Sequence, residues 1–224
     1  FSINRNLQLE IFDCVIGSIQ FFLKLLDPNH RYPNKSINIR FINLDNQVEK
    51  LDDVEFLREN APIPFKFFPE MFIEGLINYC HFIGKFNNNP MLSNDEKLNI
   101  FVEFSIIILR CPELISNPHL KSRLTEVLFY GSLPTQDKRN GYMIEIFINN
   151  KLIKENLIIS LLDFYVMVEK TGASSQFYDK FNSRYHISVI LEQIWQFEIF
   201  KNDLKKISIE NLPFFIRVIA RMLN

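Results

Sequence analysis

The sequence predicts an all-α protein, an irregular α-solenoid forming part of a superhelix, with a closed α-helical bundle as the alternative. Three observations carry this. Apolar residues recur at helical spacing along most of the chain, the periodic stretches are separated by Pro, Gly and Asn breaks, and almost no stretch alternates as a strand would. Seven or eight helices joined by short loops suit an irregular array, although no strict repeat period is visible.

Residues 7–26 read as an amphipathic helix stopped before Asp27-Pro28. The pattern weakens from 31 to 60, where the short stretch SINIRFINL reads as extended. At Pro69 periodicity returns. PEMFIEGLINYCHFIGK opens on Pro and Glu, places Phe72, Ile73, Leu76, Ile77 and Cys80 on one face, and closes near Gly84 and Lys85. The Asn87-Asn88-Asn89-Pro90 run is a loop, and a helix over 95–110 ends at Cys111-Pro112.

Asn117-Pro118 supplies a cap and a first-turn proline for the next helix, with Leu120, Leu124, Val127 and Leu128 as its apolar stripe. A polar loop covers 134–141. Residues 152–169 are periodic through Ile153, Leu157, Ile158, Leu161, Leu162, Tyr165 and Val168. A helix over roughly 184–200 aligns Ile187, Ile190, Leu191, Ile194 and Trp195, and the last, from Asn211, packs through Leu212, Phe215, Ile216 and Ile219.

With 47% hydrophobic residues and 23 Phe, the chain can bury a substantial core. A formal charge of −1, with no basic run, argues against nucleic acid as a partner. Apolar runs are broken by charge before the roughly 18 residues a membrane span needs, so no membrane partner is expected. Cys14, Cys80 and Cys111 are too few and too scattered for a disulfide framework, which fits a cytosolic or nuclear setting. The chain begins at Phe1 rather than Met and its last helix runs to residue 224, so it is expected to be a fragment of a longer array.

Chemistry is hard to find. His30, His81, His119 and His186 lie at no metal-ligand spacing, and there is neither CxxC nor HExxH. Cys111 beside Arg110 is the only hint of an activated thiol, and a small apolar residue at a helix end explains it better. The six glycines form no phosphate-binding loop, and Asp52-Asp53 and Asp95-Glu96 look like surface pairs. No catalytic, cofactor-binding or metal-binding residue is assigned, and no cofactor is expected.

EKTGASSQFYDKFNSRYHISVILEQIW, residues 169–195, is the richest stretch. Gly172 ends a helix, Ser174 or Ser175 can cap the next, and Phe177, Phe181 and Tyr185, four residues apart, are expected to face the core. Lys180, Arg184 and His186 then form the candidate interaction surface, weighed against plain packing.

This stretch resembles the core of the ubiquitin elongating factors, the U-box ligases that lengthen ubiquitin chains. ISNPHLKSRLTEVLF, FFPEMFIEGLINYCHFI and NLPFFIRVIARMLN are similar to other segments of that core, in the same order. The likeness covers Phe67 to Asn224 and is weak over residues 1–60, so 1–224 reads as one partial helical-repeat core, with 1–60 divergent and 61–224 family-like. The resemblance implies armadillo-like repeats followed, in the full-length protein, by a C-terminal U-box that this chain lacks. It implies as partners a ubiquitin-charged conjugating enzyme, ubiquitylated substrates, an AAA segregase ATPase and proteasomal shuttle factors. The chain alone is expected to be a scaffold fragment that does not ligate ubiquitin; a HEAT- or armadillo-type adaptor without ligase activity is the alternative, and a helical enzyme with an unrecognised pocket a third reading.

Overall fold

In the computed structural model, five of the described helices begin at an asparagine cap. The Asn4, Asn94, Asn117, Asn150 and Asn211 side chains accept from the backbone N–H of Asn6, Lys97, His119, Ile153 and Phe214, satisfying donors that a helix start otherwise leaves bare. The structure describes residues 4–27, 29–35, 37, 61–86, 88–111, 113–115, 117–135, 139–168 and 177–223. Among these there are nine α-helices and no strand. They are α1 (Arg5–Leu26), α2 (Glu70–Gly84), α3 (Asp95–Arg110), α4 (Pro118–Ser132), α5 (Ile144–Asn149), α6 (Lys151–Met167), α7 (Phe177–Ile194), α8 (Glu198–Glu210) and α9 (Leu212–Met222). The extended stretch expected at SINIRFINL, apart from Ile37, and the Gly172 break with its serine cap lie outside the described residues.

The chain forms two compact units, Phe1–Ser116 and Asn117–Asn224. In the first, α1 packs against α2 and α3. Its core-facing side is Phe12, Ile16, Ile19, Leu23 and Leu26, the i, i+4, i+7 pattern that marks one face of a helix. An Asp13–Lys97 ion pair bridges α1 and α3. At the end of α1, Asp27 is buried and its carboxylate accepts from the N–H groups of Asn29, Arg31 and Tyr32. Burial pushes the Asp27 carboxyl up, but those three donors outweigh it and hold the group below the usual range. The turn carries His30 into the left-handed region at φ 52° and delivers Tyr32 to Glu103 of α3. Burial, then the Glu103 charge and hydrogen bond, raise the Tyr32 phenol far above its ordinary value.

In the second unit α6 is the hub, touching α5, α7, α8 and α9, while α4 and α7 form the most extensive pair. Leu120, Leu124, Val127 and Leu128 of α4 are all buried, as are Ile153, Leu157, Ile158, Leu161, Leu162, Tyr165 and Val168 along and just after α6. The C-terminal end of α4 meets the loop before α5 at van der Waals closeness: Met143 N–H donates to the Gly131 carbonyl at 2.9 Å, and the chain at Gly141 lies against Gly131 and Ser132.

Three expectations are corrected. On α2, Ile73, Ile77, Cys80 and Ile83 are buried, but Phe72 is exposed and Leu76 only half-buried, because the apolar arc of this helix is wider than its core contact. The helix expected over 184–200 breaks at residues 195–197, leaving Trp195 exposed, and resumes as α8. On α9 the buried residues are Phe214 and Val218, while Leu212, Ile216 and Ile219 are exposed. Both sets are apolar at helical spacing, so periodicity alone could not choose between them.

Candidate interaction surface

The buried face of α7 is Ser183, Ile187, Ile190 and Ile194, at i, i+4, i+7 and i+11. A serine fits there because the Ser183 and Ser122 hydroxyls, on α7 and α4, hydrogen-bond at 2.7 Å. This phase fixes everything else on the helix. Two residues from Ser183 and Ile187, the Phe181 and Tyr185 side chains point outward and are 58% and 61% exposed. Their expected place in the core is therefore corrected. Of Phe177, the third of that series, no side-chain contact is described.

The three residues expected to form the surface do not make one patch. Arg184 lies over the Tyr165 ring of α6, 4.9 Å from its centroid, a cation–π contact. His186 stacks on Phe129 of α4 at 4.5 Å between centroids. These are opposite flanks of α7, and each side chain is half-buried in a helix–helix seam. Lys180 is half-buried one turn before Arg184. Between the flanks stands Tyr185, whose ring is 5.8 Å from Phe129 and 5.9 Å from His186. The exposed feature is thus an aromatic ridge, Phe181 and Tyr185, with Arg184 and His186 bracing it from either side. The isoleucine stripe carried the signal for this: extended one turn back, it lands on Ser183 rather than on an aromatic.

Nothing in the described residues adds a reaction centre. No group of three or more His, Cys, Asp or Glu is placed to hold a metal ion among them. Burial drives the Cys80 thiol far above its ordinary value, the opposite of what a nucleophile needs. Cys111 is fully buried at the end of α3. His81 is half-buried on α2, His119 lies exposed in the first turn of α4, and the His30 ring Nδ1 meets the Lys24 carbonyl at 2.9 Å. No helix among the described residues is long and apolar enough to cross a membrane.

Among the described residues the fold is all-helical, with an aromatic ridge exposed on α7. The chain belongs to the ubiquitin elongating factor core family, whose profile it matches over residues 1–224. It is 48% identical over 225 residues to the E4 ubiquitin-protein ligase UFD2 of Saccharomyces cerevisiae, a match covering 100% of this chain and 23% of that protein. It is 34% identical over 166 residues to the ubiquitin conjugation factor E4 of Schizosaccharomyces pombe, covering 74% of this chain and 16% of the relative. A probable ubiquitin conjugation factor E4 of Arabidopsis thaliana is 32% identical over 152 residues, covering 68% and 14%. The chain thus spans less than a quarter of the length of these relatives.

Proposed function

We propose that this chain is a scaffold segment of a ubiquitin chain-elongating ligase, which in its full-length form extends ubiquitin chains on substrates already carrying ubiquitin. The observation that carries the reading is the 48% identity, sustained over the whole chain, to a protein named an E4 ubiquitin-protein ligase. The physical picture is consistent with it. A U-box aligns a conjugating enzyme's thioester for attack and supplies no nucleophile of its own, so the core needs rigidity and docking surfaces rather than a catalytic cluster.

In this reading the helices form part of an irregular armadillo-like solenoid, one core over 1–224, that sets the distance between a C-terminal U-box and the bound substrate. The partners are a ubiquitin-charged conjugating enzyme, reached through the U-box, and ubiquitylated substrates. An AAA segregase ATPase and proteasomal shuttle factors complete the set, in the cytoplasm or nucleus, with degradation by the proteasome as the outcome. The ridge of Phe181 and Tyr185, with Lys180, Arg184 and His186 around it, is the surface through which α7 contacts a protein partner. Aromatic and arginine side chains are the residue types that dominate such contacts.

The test is a chain-extension assay with the full-length protein, activating and conjugating enzymes, and a substrate bearing a single ubiquitin. Lengthening of that chain, beyond what the conjugating enzyme does alone, is expected. Binding to ubiquitylated substrate without any extension would favour an adaptor lacking ligase activity.

A further inference from the structure

We draw no further inference here: the strongest candidate, the exposed apolar face that Leu212, Ile216 and Ile219 form along α9, carries nothing because no observation among the described residues shows what covers it.

Discussion

Replacing Gly141 by alanine should be among the most damaging single-methyl changes in the second unit. A Cβ there would stand 2.3 Å from the Gly131 carbonyl oxygen, 2.3 Å from the Ser132 carbonyl carbon and 2.5 Å from the Ser132 oxygen. All three are backbone atoms of the last turn of α4, and no rotamer can move them aside. Relief requires the 139–143 loop to lift, which breaks the Met143 N–H bond to Gly131 and opens the seam in which Met143 and Ile144 are buried. Overpacking of a well-filled site costs about 1–3 kcal/mol, and a purely backbone clash belongs at or above the top of that range. About 3 kcal/mol would lower the melting temperature by roughly 6–12 °C at this chain length. Gly131→Ala is the internal control: the nearest atoms to its Cβ would be those of the Met143 side chain, 2.2 Å from Sδ, and a thioether can swing away. Its cost should stay nearer about 1 kcal/mol. Urea unfolding followed by Trp195 fluorescence reads the second unit, since that residue is the single tryptophan and lies in it. A loss below about 1 kcal/mol for Gly141→Ala, or equal losses for the two variants, would refute the steric argument.

The remaining predictions concern the surface, a helix cap and acidity. Phe181→Ala should cost less than about 1 kcal/mol by urea unfolding, because its ring is largely solvated, while Phe147→Ala at a fully buried position should cost about 3–5 kcal/mol. Loss of partner binding by Phe181→Ala and Tyr185→Ala in the full-length protein, without loss of stability, would identify the ridge as a contact surface. Asn117→Ala removes the acceptor at the start of α4 and should lower stability by about 1 kcal/mol, checked by the same unfolding curve. Asp203 on α8 is pushed above its ordinary value by burial and by the Glu155 and Glu210 carboxylates, against the pull of Lys206. Its folded form therefore binds a proton more readily than the unfolded chain, so this group's contribution falls as pH rises from about 4 through its raised value. Asp203→Asn should flatten that part of the stability–pH profile and leave the second unit more stable at neutral pH; an unchanged slope would contradict the assignment.

Helix starts were legible in the sequence because they are local. Asn117-Pro118 and Pro69-Glu70 act through a few neighbouring backbone groups, and each opens a helix in the structure. Phase was not legible where a helix carries two apolar sets. On α9, Leu212, Ile216 and Ile219 compete with Phe214 and Val218, and only the positions of α6 and α8 decide that the second set is covered. On α7 the aromatics looked like core residues by type, but the isoleucine stripe and Ser183 set the register and turned them outward. The break after Ile194 has neither proline nor glycine to announce it. Its corner is held by Gln196, which donates to the Asn140 side chain and the Gln193 carbonyl, and the first of these is a partner 56 residues away. The six-residue α5 is too short for a period to show, and its place depends on the long-range approach of Gly131 and Gly141. Of the candidate surface, the chemical types of Arg184 and His186 were readable; their division between two seams depends on Tyr165 and Phe129, which no spacing within α7 encodes.

We propose that these helices position ubiquitin transfer without taking part in it. The most direct measurement compares the full-length protein with residues 1–224 alone, side by side, with charged conjugating enzyme and a mono-ubiquitylated substrate, on reducing and non-reducing gels. Chain extension is expected from the full-length protein and none from residues 1–224, with no thiol-sensitive ubiquitin adduct on Cys14, Cys80 or Cys111. Extension by residues 1–224 alone, or a reducible adduct on any of those cysteines, would contradict it.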